Sequence, residues 1–271
     1  MGSAEPPVLG IGRRRDSSCR GRVRTRSAFY PDWRDAAAYA PLLDADRSLI
    51  AWEWLRRDPS YKSAARATTA RTDPASFGLV VFEPPELGVP GARPLWRSDA
   101  YPFVLPVNPA PPEHASYCFD PHRLCGFERI VSRGDEEHLL LCDGLHSIRL
   151  DGPAGTFGKG PVALRYSLGS ISLAGPQILA LRRFLAFYSS GRFSRVLHRR
   201  EPRARRWVLM LRAWDAIIAG ADQRRIAEAL FSRSAGKPRW RSREPSVRSQ
   251  VQRLVVSARI FGAGGYRSLL R

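Results

Sequence analysis

Pro245-Ser-Val-Arg-Ser-Gln-Val-Gln-Arg-Leu-Val-Val-Ser-Ala-Arg-Ile-Phe261 decides the reading of this 271-residue chain. Wound as an α-helix at about 100° per residue, it gathers Val247, Val251, Leu254, Ala258 and Phe261 into one narrow apolar arc. Arg248, Ser249, Gln252 and Arg253 point the other way, all in the N-terminal half. One face therefore needs a core, and the other is a polar display. The core partners lie just upstream. Asp222 is placed to cap a short helix, Gln223–Phe231, with Ile226, Ala227 and Leu230 on one side. Before it, Glu201-Pro202 opens a helix with Trp207, Leu211, Trp214 and Ile218 inward, and Gly220 sits where a helix stop needs a left-handed residue. Three helices in this order predict a trihelical helix-turn-helix. Residues 232–244 are longer than the three or four residues of the simple motif, and their arginines suit a wing on backbone phosphates.

Working outward, Gly175-Pro176 opens another helix with Pro at its first position, an apolar stripe of Ile178, Leu181, Leu185 and Tyr188, and an end near Gly191. From Phe127 the hydrophobic period is two. Phe127–Ser132, Glu137–Cys142, Ser147–Asp151 and Val162–Leu168 read as four strands of an antiparallel meander, turned at Arg133-Gly134-Asp135, Asp143-Gly144 and Gly152–Gly160. Residues 71–126 hold eleven prolines and read as linker and irregular structure, with a short strand at Gly78–Phe82. Residues 28–70 form a small helical unit rich in aromatics. In it Asp46 caps Arg47–Arg57, Ile50, Ala51, Trp54 and Leu55 make the apolar face, and Asp58-Pro59 ends the helix. Residues 1–27 read as a disordered basic arm. The fold class is α+β: a small helical N-terminal unit, a Pro-rich linker, then a domain over 127–271 in which a β-meander (127–168) packs with a helical bundle (176–262).

Charge supplies the functional argument. The chain carries 44 Lys+Arg against 25 Asp+Glu, a net +19 and a pI near 11.0. The excess is segregated: residues 1–27 are net +5, 28–175 net −3 and 176–271 net +17. Nearly all of it is Arg, whose planar fork engages phosphates and guanine edges bidentately. A basic module attached to a near-neutral one calls for a polyanionic partner, double-stranded DNA first. The outward residues Arg248, Ser249, Gln252 and Arg253 suit base readout from a helix in the major groove, Arg to guanine and Gln to adenine. Arg224, Arg225, Arg239, Arg241 and Arg243 suit phosphate contacts. Trp33 and Trp52 have two readings, as core or as exposed anchors for a protein partner.

Other chemistries fare worse. No apolar run reaches the ~18–20 residues of a membrane span, and Arg13-Arg14-Arg15 is followed by Asp16 instead of an apolar signal segment. Four cysteines in a chain this long do not suggest a disulfide framework, so the chain reads as cytoplasmic. His114, Cys118, His122 and Cys125 alternate ligand types in a Pro-rich stretch without the paired clips of a zinc site, and no metal is expected. Tyr266 with its surrounding arginines is read as an aromatic plug after a Gly264-Gly265 helix stop, ahead of a recombinase nucleophile. No phosphate-cradling loop or catalytic constellation is present, so neither an enzyme nor a cofactor is expected. Two alternatives remain: an interaction adaptor or anti-activator with a basic face, and an RNA-binding protein. The strands offer the latter few stacking aromatics, only Phe127 and Tyr166.

Residues 128–271 resemble the DNA-binding domain of RovC-like transcription factors, a family tied to control of type VI secretion. The resemblance rests on His138-Leu-Leu-Leu-Cys-Asp-Gly144, Arg205-Arg-Trp-Val-Leu-Met-Leu-Arg-Ala-Trp-Asp215, Gly220–Phe231 and Gly264-Gly-Tyr-Arg-Ser-Leu-Leu270. Residues 29–65 resemble a small regulator-like domain through Tyr30-Pro-Asp-Trp-Arg-Asp35 and Trp52-Glu-Trp-Leu-Arg-Arg-Asp-Pro-Ser-Tyr61. This order is similar to FseA-like activators of mobile-element excision. The resemblance implies a DNA-binding transcriptional activator of mobile-element or secretion genes, with RNA polymerase or an anti-activator meeting residues 28–70. A single small reader contacts few base pairs, which favours a homo-oligomer.

Overall fold

The computed structural model describes residues 30–67, 72–111, 118–124, 126–231 and 245–271. Among them are five strands, β1 (Val104–Ala110), β2 (Glu128–Arg133), β3 (Glu136–Cys142), β4 (Ser147–Pro153) and β5 (Ala163–Tyr166). The turn chemistry read from sequence builds the first half of the sheet. Gly134, at φ 59°, lets β2 reverse into β3 with Arg133 opposite Glu136. Asp143 accepts the N–H groups of Leu145 and His146 and shapes the β3–β4 turn. Gly144 in that turn lies so close to Pro90 that an added Cβ would sit 2.6 Å from its carbonyl oxygen.

The fourth expected strand does not complete a meander. The sheet order is β2-β3-β4-β1-β5, with β1 parallel to β4 and antiparallel to β5. The Pro-rich segment is thus no mere linker, since it inserts a strand containing Pro106 and Pro109. Prolines cannot donate to a ladder and normally avoid sheet interiors. Here β1 pairs with β4 only over Val104–Pro106 and with β5 only over Val107–Ala110, so no residue needs partners on both edges. The strand expected at Gly78–Phe82 is reduced to an isolated bridge between Leu79 and Trp96.

Side chains of β3 are buried on both faces. Leu139 and Leu141 join Leu105, Ile148, Leu150 and Phe157 under a long helix, α3 (Ile171–Ser190), which contributes Ala180, Phe184 and Phe187. Leu140 and Cys142 face Val80 and Leu95 of the irregular segment. The helix α3 starts five residues before the expected position, so Pro176 lies inside it.

The remaining helices are α1 (Arg47–Leu55), α2 (Pro59–Arg66), α4 (Ala204–Ile218), α5 (Gln223–Phe231) and α6 (Pro245–Gly262). Asp58 caps α2 by accepting the N–H of Ser60 at 2.8 Å. Asp46 precedes α1 without capping it: its carboxylate accepts the Ser147 N–H (2.8 Å) and meets His198 Nδ1 (3.3 Å). Every residue of α1 from Ser48 to Leu55 is buried. One apolar cluster runs from Tyr39, Ile50 and Trp52 through Trp207 and Leu211 to Val251 and Tyr266. The N-terminal unit and the C-terminal helices therefore share a core. At its centre Arg57 donates Nε and Nη2 to Asp215 (2.6 and 2.7 Å) and Nη1 to Glu53 (2.5 Å), while the Tyr39 hydroxyl also donates to Asp215 (2.7 Å).

Candidate DNA-binding interface

A tight turn positions α5 after α4. Gly220 takes φ 74° after α4. Its N–H bonds Ile217 O (3.0 Å), and that of Ala221 reaches back to Ala216 O (2.9 Å), the paired closure that satisfies a helix's last carbonyls. Asp222 then accepts the Arg225 N–H at 2.8 Å and opens α5. Ile226 and Ala227 of α5 enter the cluster that holds Val208, Leu211 and Ala213 of α4 and Val251, Val255 and Ala258 of α6. Of the core positions expected on α4, Trp207 and Leu211 are buried and Trp214 is half-buried. Ile218, in the last turn, is instead exposed.

The face division of α6 follows the expected arc. Val251 and Ala258 are buried, Val247, Leu254 and Phe261 are half-buried against the cluster, and Val255 joins them. Arg248, Ser249, Gln252 and Arg253 are all exposed, and their side chains have no hydrogen bond or ion pair within the described residues. No described part of the chain covers that face. Arg224 and Arg225 are exposed on α5. Arg224 is held by Glu228 one turn on (2.8 Å, both exposed), a contact that water screens and that a phosphate could replace. Arg239, Arg241 and Arg243 lie outside the described residues, as does the 232–244 connection.

Sequence reasoning missed Arg259. It is exposed on the same face as Arg248 and Gln252, seven residues beyond the latter, and carrying the periodicity to the end of the helix would have found it. Beyond Arg253 the outward side also turns apolar, with Val256 and Ile260 exposed. Ile260 borders a cavity of about 530 Å³ shared with Arg206 and Trp207 of α4 and Phe261.

Trp33 and Trp52 are not exposed anchors. Trp33 is buried, with the Arg34 guanidinium 4.1 Å above its ring and its carbonyl accepting from Arg212 Nε. Trp52 is wholly buried, donates its indole N–H to Leu87 O (2.8 Å) and meets Tyr61 edge-on. Both belong to the shared core. Tyr266 is likewise buried, in the 3-10 segment Gly265–Leu270 that closes the chain, and burial pushes its phenol up. Of the His-Cys stretch, Cys118 is half-buried. His114 and Cys125 lie outside the described residues, and so does the His122 side chain.

Residues 171–271 match the family model described as a type VI secretion transcription factor DNA-binding domain, the RovC DNA-binding domain. Residues 32–78 match the proteobacterial transcriptional regulator-like domain. No curated protein matches the chain. The chain thus carries a RovC-type DNA-binding domain over 171–271 and a regulator-like domain over 32–78, and the two together indicate a DNA-binding transcriptional regulator. The matched DNA-binding domain begins at α3, leaving the sheet outside it. No described helix is long and apolar enough to cross a membrane.

Proposed function

We propose that the protein is a sequence-specific activator that reads promoter DNA with α6. The observation that carries this is the uncovered outward face of α6, where Arg248, Ser249, Gln252 and Arg253 stand free on a helix whose other side is locked into the core. In the groove, the Arg forks would meet guanine edges and Gln252 an adenine edge, with Ser249 adaptable. Arg224 and Arg225, with Arg239, Arg241 and Arg243 of the connection, would hold the phosphates that fix register. Activation would follow from recruiting or stabilising RNA polymerase at promoters of mobile-element or secretion-system genes. An anti-activator would oppose this, and self-association would extend the site. The domain division proposed is a regulator-like unit at the N-terminus and a DNA-binding unit at the C-terminus. With Trp33 and Trp52 buried, a protein partner would have to engage other residues of the N-terminal unit.

A gel-shift titration over salt tests the electrostatic part. With about six phosphates engaged, log affinity falls against log salt with a slope near −5. A slope near zero would rule the mode out. Duplex DNA should also outcompete single strands and RNA of the same sequence.

A further inference from the structure

The first turns of α4, the last turns of α6 and the closing 3-10 segment do not fill the space between them. They leave the cavity of about 530 Å³, a volume within the ~300–1,000 Å³ of small-molecule sites. Two small residues account for the gap. Ser257 of α6 and Ser268 of the closing segment stand on its wall, where larger side chains would close it. Trp207 and Met210 of α4 and Leu269 of the closing segment line it and are buried, so they form an apolar floor. Ile260, 59% exposed, marks the open side.

Three guanidiniums border the same space: Arg47 at the start of α1, Arg203 just before α4 and Arg206 in its first turn. Arg47 is already engaged, donating Nε to Glu201 (2.7 Å) and Nη1 to Arg271 O (2.9 Å). Arg203 and Arg206 are exposed, and their side chains have no hydrogen bond or ion pair within the described residues. Among the described residues, no carboxylate side chain lines the cavity. Charges of one sign around an apolar hollow repel cations and concentrate anions there. A guanidinium can also hold a carboxylate through two parallel N–H···O bonds. An inorganic anion would use the arginines and leave the apolar floor wet. A neutral hydrocarbon would cover the floor and leave the arginines unused.

We propose that this cavity is a binding site for a small organic carboxylate with an apolar body. Arg203 and Arg206 hold the head at the rim, and the body lies against Trp207, Met210 and Leu269. Such a ligand satisfies both parts of the site, which neither an inorganic ion nor a hydrocarbon does. Because the walls come from α1, α4, α6 and the closing segment, an occupant touches the N-terminal unit and the C-terminal helices at once. It is thus an effector of their shared packing, and it binds whether or not α6 reads DNA. Binding to the folded chain alone also raises its thermal midpoint.

Calorimetric titration of the full chain with naphthoate and with decanoate, one flat body and one linear, tests the site. At least one should bind once per chain, with a Kd of roughly 0.01–1 mM. Naphthalenemethanol, which keeps the flat body without the charge, and acetate, which keeps the head alone, should each bind at least about tenfold more weakly. The double variant Arg203→Gln, Arg206→Gln should weaken the acid about tenfold or more, and its exposed positions leave the fold intact. Ser257→Phe, which fills the cavity, should abolish binding. Arg195→Gln with Arg199→Gln removes the same charge from exposed positions that do not line the cavity, and should bind as wild type does. Failure of both acids to bind at about 1 mM would overturn the proposal. So would an alcohol that binds as tightly as the acid, or an equal loss in the control pair.

Discussion

Gly262 shows how closely the end of α6 is set against its neighbours. A Cβ there would lie 2.5–2.7 Å from three atoms of the Trp214 ring. That ring has little room to retreat, because Trp54 packs against it at 6.4 Å and Phe261 in turn packs on Trp54. Gly262→Ala should therefore destabilise the protein by about 1–3 kcal/mol, the cost of overpacking a filled core. Gly175 is the contrasting case: it sits within α3 with open space where a Cβ would go. There Gly→Ala should stabilise by roughly 0.5–1 kcal/mol through helix entropy. Urea unfolding should show the two midpoints moving in opposite directions at unchanged slope. The buried acids govern the response to pH. Burial pushes the carboxyls of Asp46, Glu53 and Asp151 up, but stronger opposing contacts leave all three below their usual values. Those contacts are His198 for Asp46, Arg57 and Arg56 for Glu53, and His138 and Arg149 for Asp151. A depressed carboxyl contributes stability above its unfolded pKa and loses it as pH falls through the folded value. Two histidines act in opposite senses nearer neutrality. Burial lowers His198, whose contribution is present above its ordinary 6.5 and lost as pH falls. The hydrogen bond to Asp143 raises His146, whose contribution is present below 6.5 and lost as pH rises. The expected thermal midpoint therefore falls gently below pH 6.5 as His198 takes up its proton and declines most steeply below about 4, where the three carboxyls are protonated. A major loss centred near 6.5 would show that the histidines, not the acids, dominate.

Among the elements, α6 is the one on which specificity should turn. Its two faces do different work, so substitutions on the outer one should alter recognition without unfolding the helix. Arg248→Ala with Gln252→Ala should abolish discrimination between target and scrambled duplex, a loss of about 1–3 kcal/mol per bidentate contact, while salt-sensitive binding persists. Competition gel shifts measure both. If discrimination survives, another element reads the bases. This helix was legible because its apolar arc and polar display are separated at a single period, and the same clarity located α5, the Gly220 stop and the strands β2–β4. Elements whose local chemistry opposes their final state were not legible. Pro106 and Pro109 argue against a strand, and β1 exists only because its two neighbours take turns along it. The Gly175-Pro176 pair resembles a helix start, yet the preceding turn is helical from Ile171. The apolar stripe of α3 was visible, but periodicity cannot tell a face that meets the chain's own core from one left exposed, as Ile178, Leu185 and Tyr188 are. Trp33 and Trp52 pose the same problem, since an aromatic run fits a core and an interface equally well until burial is known. For the candidate site, the exposed polar residues of α6 could be named from sequence. Arg259 could have been named too, had the period been followed through the apolar half of the helix.

At the scale of the molecule, the boundary between the two matched domains is not a boundary in packing. Arg57 of the N-terminal unit and Asp215 of α4 form a bidentate pair that is almost wholly buried. Arg212 of α4 donates to the backbone carbonyls of Trp33 and Arg34, and Arg47 joins Glu201 at 2.7 Å. Around these bonds the apolar side chains of α1 lie against α4, α6 and the closing 3-10 segment within one cluster. Removing residues 1–170 would strip that cluster of Tyr39, Leu49, Ile50, Trp52, Trp54 and Leu55 together. It would also leave Asp215 without its guanidinium, a kind of loss that costs about 3–5 kcal/mol when one partner of a buried pair is removed. Native domains have only about 5–15 kcal/mol in hand, so the isolated 171–271 fragment should not hold its fold. The expected outcome is loss of the cooperative thermal transition, with exposed apolar surface reported by dye binding, and loss of sequence-specific affinity for DNA. The full chain would keep all three properties. If the fragment melts cooperatively and discriminates its site like the full chain, the N-terminal unit is only an attached module. If it does not, that unit is a structural part of the DNA reader, and a partner that pulls on it would act on α6 through a continuous core.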